Sequence, residues 1–377
     1  MNRDTFCALP FTEIFLYPNG DIKPCCSGAL PLGNLNNNNI EDILQSDIAK
    51  DVRQHILDGK WHPLCEQCKR QEKQGVRSER QSTYTNAIRN LELTNSTFKL
   101  ERIDLRWSNT CNLSCVYCYE GFSSKWASIK GIAFNDVKKT GEDSLFNLIK
   151  ENTETINIVM LLGGEPLLQK QNSTLIDLLP KVGFYCLTNL SVPMRTNPIA
   201  QKLITRTANS SFGVSIETVR DKFEYVRRNS SWDLLVDNVK YFKEIQQPLE
   251  AHSLYSIYSF FNLIEFYDFI TENNFKQVFW NLLESAGQNE KATVFKLPKK
   301  LKEIAINEID KCEKKYKNAP GIETLQIYRN NLINTFDDLE CTSKHHLDEI
   351  TSLELLQPYH KTFKDIWPSL YNGLIKC

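Results

Sequence analysis

The chain has 377 residues, 41% hydrophobic and 24% charged, an ordinary globular balance in a length that suits two domains or one large domain with a small appendage. A formal net charge of −1 gives no electrostatic reason to expect nucleic acid or an anionic membrane as a partner. No apolar run reaches the ~18 residues of a membrane-spanning helix, and the N-terminal residues lack the apolar core of a signal peptide, so the expectation is a cytoplasmic protein. Twelve cysteines in such a chain read as metal ligands rather than a disulfide framework.

Five of the cysteines fall in residues 1–80: Cys7, Cys25, Cys26, Cys65 and Cys68. Two β-prone runs, Thr12–Tyr17 and Ile22–Pro24, flank Pro18-Asn19-Gly20-Asp21 and predict a hairpin that brings Cys25 back towards Cys7. Asn34–Asn39 reads as a turn and helix cap. Helical pattern follows from Ile40 to Ser46 and continues, with breaks, to about Leu57. Cys65-Glu66-Gln67-Cys68 is a C-x2-C pair that needs two distant cysteines to complete four ligands. Cys7 and Cys25 would supply them, with Cys26 a spare that could replace Cys25. Such a set suits structural zinc as well as an iron–sulfur cluster. Residues 71–99 are polar and basic, with Lys73, Arg77, Arg80 and Arg89, and predict a linker helix (81–98) with a solvated face.

From Lys99 to Leu283 strands alternate with helices, the sign of a parallel βα architecture. Strands are expected at Ile103–Trp107, Ile156–Leu162, Phe184–Thr188, Phe212–Ile216, Glu250–Ile257 and Gln277–Leu282. Helices are expected at Asp143–Asn152, Leu175–Leu179, Pro198–Thr207, Trp232–Ile245 and Asn262–Glu272. The first strand runs into Cys111-Asn112-Leu113-Ser114-Cys115-Val116-Tyr117-Cys118. Three thiols at C-x3-C-x2-C spacing can hold three irons of a [4Fe–4S] cube and leave the fourth open, whereas zinc loops favour paired C-x2-C. The second strand runs into Gly163-Gly164-Glu165-Pro166, where glycines let backbone approach a ligand closely. The fourth ends in Ser215-Ile216-Glu217, and the third in Thr188-Asn189. Arg106 is a candidate carboxylate binder or an ion-pair partner of Asp104. His252 and Tyr255 are candidates for the substrate cavity or ordinary core residues, and Cys186 reads as a small buried hydrophobe.

The cysteine loop, with Tyr117 before its last cysteine, resembles the signature of the radical S-adenosylmethionine (SAM) superfamily. Gly163-Gly164-Glu165-Pro166 matches that family's GGEP motif, and Ser215 and Glu217 resemble its ribose and carboxylate contacts. The spacing Cys7, Gly20-x4-Cys25, Gly33-Asn34-Leu35 and Cys65-x2-Cys68 resembles the SPASM/Twitch auxiliary-cluster modules of the same enzymes, in the smaller Twitch form with one cluster. It departs from them in preceding the barrel.

The resemblance implies an α/β fold built on a partial (β/α)6 TIM-like barrel (99–286). A small α+β cluster module (1–80) would precede it, and a helical C-terminal region (287–377) would follow. It also implies two [4Fe–4S] clusters. One, on Cys111, Cys115 and Cys118, would bind SAM with Tyr117, Gly163, Gly164, Glu165, Ser215 and Glu217; the other would sit on Cys7, Cys25, Cys65 and Cys68. Reductive SAM cleavage would give a 5′-deoxyadenosyl radical that abstracts hydrogen from a substrate. A flavodoxin or ferredoxin would be the reductant and the auxiliary cluster an electron relay. The substrate would be a peptide, a protein or a small molecule, the small-molecule case being a sugar- or aminocyclitol-like dehydrogenase. A leader-binding domain is not expected ahead of Cys7. The rival from another class is a non-catalytic iron–sulfur carrier or scaffold, which would have no use for the GGEP residues.

Beyond Gly287 the pattern is helical, with runs at Lys296–Lys317, Glu323–Leu339, Leu347–Leu356 and Tyr359–Tyr371, broken at Pro320-Gly321. The first is charge-laced and expected to be exposed. This region would pack on the open side of the barrel or cap the substrate. Cys312, Cys341 and Cys377 read as non-ligands, and His345-His346 as a surface pair.

Overall fold

The computed structural model describes residues 5–73, 75, 77–83, 93–282, 293–335 and 343–375. The chain divides into two compact units, one of Met1–Thr110, Ala133–Leu187 and Pro198–Ser210, the other of Cys111–Ile132, Thr188–Asn197 and Ser211–Cys377.

The first unit is built on β1 (Glu13–Leu16), β2 (Asp21–Lys23), β3 (Gly33–Asn34), β4 (Arg102–Leu105), β5 (Ile158–Leu161) and β6 (Gly183–Thr188), in the order β3-β2-β1-β4-β5-β6. The expected hairpin is present: β1 and β2 pair antiparallel, with Phe15 opposite Lys23 and Leu16 opposite Ile22. Gly20 takes φ +91° in its turn, a left-handed conformation that costs other residues more. The sequence did not suggest that β1 also pairs in parallel with β4, Glu13 opposite Arg102 through Leu16 opposite Leu105. The cysteine-rich hairpin is thus an extension of the parallel sheet. Flanked on both sides, β4 is buried on both faces, with Ile103, Leu105 and Asp104 all inside. Burial raises the Asp104 carboxyl to about 6, although Arg106 and Arg102 oppose the shift. Arg102 crosses to Glu13 at 2.8 Å and to Glu79 at 3.1 Å.

The second unit holds β7 (Ser210–Ser215), β8 (Leu249–Tyr255) and β9 (Gln277–Leu282), paired in parallel in that order. All six strands expected between Lys99 and Leu283 are therefore present, and the fold is α/β with parallel strands and helical connections. The helices Lys139–Glu151, Lys170–Leu178, Pro198–Thr205, Trp232–Glu244 and Leu263–Glu272 overlap the expected ones. Two more, Ser124–Lys130 and Arg220–Val226, went unread because each is only seven residues long. Among the described residues no helix is long and apolar enough to cross a membrane.

Several expectations are corrected. In place of one linker helix, Glu66–Lys73 and Glu79–Ser82 are separate helices, 93–99 is not helical, and 84–92 (with Arg89) lies outside the described residues. Lys73 and Arg77 are exposed, but Arg80 is buried. The helix Lys299–Lys315 is half sunk: Leu301, Ala305, Ile309 and Cys312 are buried, and so is Lys302, which donates to the Thr335 carbonyl. His346 is buried rather than at the surface; the side chain of His345, with Cys341 and Cys377, lies outside the described residues.

Within the N-terminal segment, Arg53 acts as a clamp. It lies on the helix Asp47–Leu57, is 1% exposed, and donates to the carbonyls of Asn95 (2.7 Å), Leu44 (2.5 Å) and Pro10 (3.4 Å). Arg53→Met would leave two buried carbonyls and the half-buried one of Asn95 without their donor. The expected loss is about 3 kcal/mol of folding free energy, read by urea denaturation of the full chain.

Candidate iron–sulfur sites

In the second unit the cysteine loop is held by neighbours from four directions. Ser123 caps the helix Ser124–Lys130 and donates to the Leu113 carbonyl at 2.6 Å. The Ser124 hydroxyl accepts from the Cys111 amide, and the Trp126 indole donates to the Cys115 carbonyl at 2.9 Å. On the other side the amides of Ser114 and Val116 donate to the carbonyls of Arg228 and Val226. Asn112 exchanges hydrogen bonds with Ser191. The Ser114 hydroxyl donates to Gln357 at 2.5 Å, so the C-terminal region touches the loop directly. Cys111 and Cys115 are buried together around Leu113, with Tyr117 and Cys118 at the margin.

A polar chain runs through this cluster. Asn189 donates to the Cys111 sulfur at 3.8 Å and accepts from Arg227 at 3.0 Å. Arg227 pairs with the fully buried Glu217 at 2.7 Å, and Glu217 accepts from the Tyr117 hydroxyl at 2.9 Å. Burial works against the Arg227 charge, but the Glu217 carboxylate outweighs it and holds the guanidinium protonated. Burial raises the Cys115 thiol to about 11 against the pull of Arg227, and burial followed by the nearby Cys115 raises Cys118 to about 12. Three thiols on one loop, two of them (Cys115 and Cys118) resisting ionisation unaided, beside the buried Arg227, have the chemistry of soft-metal donors. Tyr117, expected among the SAM contacts, is tied through its hydroxyl to Glu217. Ser215 ends β7 half-buried opposite His252. Arg227 was missed because nothing in its local sequence marks it; Asn189 had been singled out only as the end of a strand.

In the first unit, Gly163 and Gly164 follow β5 with φ of +72° and +45°. A Cβ on Gly163 would lie 2.4 Å from the Arg106 side chain, and one on Gly164 would lie 2.3 Å from the Thr110 carbonyl oxygen. The Glu165 amide donates to that same carbonyl at 2.8 Å. Gln169, 2% exposed, accepts from the Trp107 amide and donates to the Gly163 carbonyl at 2.9 Å. The Gly-Gly-Glu turn is thereby locked against the segment after β4. Glu165 is fully buried and accepts from the Leu167 amide. Arg106 pairs with Asp104 at 2.8 Å and lies over the Phe15 ring, the ion-pair alternative. Tyr255 stacks on Tyr328 in the core, His252 lies against Phe279 with burial lowering its pKa to about 4, and Cys186 is buried.

The same unit brings together Cys7, Cys25, Cys65 and Cys68, which line one cavity with Trp61 and Arg80. Of the adjacent pair, Cys25 lines this cavity, whereas Cys26 is exposed and contacts Ser27. Burial, reinforced by the neighbouring thiols, raises Cys7 and Cys25, and it raises Cys65 to about 11. Four thiols on one apolar cavity fit a closed metal centre.

Two family models match the chain. A Radical SAM superfamily model covers residues 105–270, and an iron-sulfur cluster-binding domain, SPASM, covers residues 7–69. A search of curated proteins finds no match. Among solved structures the chain is similar to anSMEcpe with bound AdoMet, at 15% identity and a TM-score of 0.45 over 58% of this chain and 62% of that one. It is also similar to Streptococcus suis SuiB bound to S-adenosylmethionine, at 17% identity and a TM-score of 0.41 over 70% and 61%. SuiB bound to precursor peptide SuiA matches at 18% and 0.42 over 71% and 60%. The chain spans about three fifths of the length of these proteins.

Two substitutions test the local architecture. Arg227→Met would strand the Glu217 carboxylate and should cost roughly 3–5 kcal/mol by urea denaturation, part of it recovered by adding Glu217→Gln. Gly164→Ala should cost roughly 1–3 kcal/mol through its positive φ and its collision with Thr110.

Proposed function

We propose that this chain, which carries a SPASM iron–sulfur domain ahead of a radical SAM domain, is a radical SAM enzyme that abstracts hydrogen from an unactivated C–H bond of an organic substrate. The placement of Cys111, Cys115 and Cys118 on one packed loop, the first two buried, supports the reading. These three would hold a [4Fe–4S] cluster through three irons, and Cys7, Cys25, Cys65 and Cys68 would hold a second one closed by four thiolates. Bound there with SAM, the first cluster would supply the electron for reductive cleavage to methionine and a 5′-deoxyadenosyl radical.

The chain's own residues position and insulate. Gly163 and Gly164 present backbone unobstructed by Cβ atoms, and Glu165 would accept from the methionyl amino group. Ser215 and Glu217 would contact the ribose hydroxyls and the methionyl carboxylate, with Arg227 balancing the Glu217 charge. Tyr117 would lie near the adenine, its ring oriented by the hydrogen bond to Glu217. Cys7, Cys25, Cys65 and Cys68 would hold the auxiliary cluster through all four thiols, and the chemistry it would supply there is one-electron transfer, accepting or relaying an electron. The external reductant would be a flavodoxin or ferredoxin.

Protein reconstituted without oxygen should hold about eight irons per chain, and about four after Cys111, Cys115 and Cys118 are all changed to Ala. One persistent zinc with only four irons would remove the auxiliary-cluster reading. With SAM and dithionite, 5′-deoxyadenosine should form, and Cys115→Ala should abolish it. Glu165→Ala should weaken SAM binding with iron content intact. Cys65→Ala should still cleave SAM but yield no oxidised product, while Cys26→Ala should be nearly silent; chromatography of both products against iron counts separates these outcomes.

A further inference from the structure

The residues around the N-terminal cysteines include an ion pair that the cysteine motif does not contain. Arg80, 7% exposed, lines the same cavity as Cys7, Cys25, Cys65 and Cys68. Its Nη1 donates at 3.0 Å to the carbonyl of Phe6, the residue before Cys7, and its guanidinium lies 5.3 Å from the centre of the Trp61 ring. The remaining edge forms a two-pronged contact with Glu72: Nε to Oε1 at 2.9 Å and Nη2 to Oε2 at 2.6 Å. Ser78 donates to Glu72 Oε1 at 2.6 Å, so the carboxylate is fixed as well. Glu72 sits four residues beyond Cys68 on the helix Glu66–Lys73, one turn along the same face. Lys60 also lines the cavity, but its side chain is 68% exposed and faces Asp58 at 3.6 Å, where solvent screens it. Among the described residues, Arg80 is thus the buried guanidinium on this cavity, and Glu72 the charge set against it.

A four-thiolate cluster gains one negative charge when it takes up one electron. In an apolar cavity that extra charge is disfavoured, and hydrogen bonding, net charge and solvent exposure set the potential. Resting on the auxiliary-cluster reading above, we propose that Arg80 and Glu72 form an opposed pair that sets the reduction potential of this cluster. Arg80 favours the reduced form, and Glu72 moderates it. Arg80 is a positioning and tuning residue, not a ligand.

The test is a potentiometric titration of the auxiliary cluster, followed by paramagnetic resonance, in full-length protein whose first cluster has been removed by changing Cys111, Cys115 and Cys118 to Ala. Dithionite and mediators supply the single electron. The iron count and the cluster signal of that parent protein decide whether the auxiliary cluster exists, independently of the tuning. Given the cluster, Arg80→Gln should make reduction about tenfold less favourable, a shift of about 59 mV to lower potential for a one-electron couple. Glu72→Gln should shift the potential the opposite way, and Arg80→Lys should lie between the parent and Arg80→Gln. Unchanged potentials, or shifts of the same sign in Arg80→Gln and Glu72→Gln, would overturn the proposal, since a purely architectural pair has no reason to give opposite signs. If Arg80→Gln fails to hold iron, Glu72→Gln alone decides: a rise in potential supports the tuning role, and no rise overturns it.

Discussion

The structure depends on a conflict between burial and charge. A thiol becomes a metal ligand only as a thiolate, and an apolar interior penalises that anion. Burial pushes up Cys7, Cys25 and Cys65 in one set and Cys115 and Cys118 in the other, Cys65 and Cys115 each to about 11. Each set is arranged so that a metal, and a neighbouring guanidinium, can relieve the penalty.

The two sets differ in how the cation is balanced. Around the three-cysteine loop, Arg227 is matched to Glu217 and passes its hydrogen bonding through Asn189 to the Cys111 sulfur. The amides of Ser114 and Val116 are spent on the carbonyls of Arg228 and Val226, and the carbonyls of Cys111, Leu113 and Cys115 on Ser124, Ser123 and Trp126. With so many groups committed, the thiols are pre-organised, and metal binding has less chain to order. Around the four-cysteine cavity the elements come from the hairpin, the segment after Trp61 and the helix Glu66–Lys73, with Arg80 reaching in from the next short helix.

Local pattern made much of this legible. Cysteine spacing, the Asn-Gly turn and the Gly-Gly-Glu-Pro run each depend on residues a few positions apart, and the six parallel strands expected between Lys99 and Leu283 are legible as short apolar runs. What stayed hidden depends on distance along the chain. The pairing of Glu13 with Arg102 joins residues 89 apart, and no periodicity within either strand announces its partner. Arg80 sits in a polar, basic stretch whose composition argues for solvent, and only the fold turns it inward. The two seven-residue helices failed for lack of length, since their apolar faces are too short to show a period. His346 is buried on a helix whose sequence marks no clear apolar face.

The parallel ladder between β1 and β4 also determines how the protein can be cut. The polar stretch near residue 80 looks like a natural place to separate the cysteine module from the rest. A fragment beginning there would lose Glu13–Leu16 and leave Arg102–Leu105 as a bare sheet margin, with Ile103 and Leu105 no longer covered. Such a margin is a template for pairing with other chains, and the fragment would self-associate. Dissection would therefore have to keep the first strand, supply it as a separate peptide, or place a charge along the exposed margin.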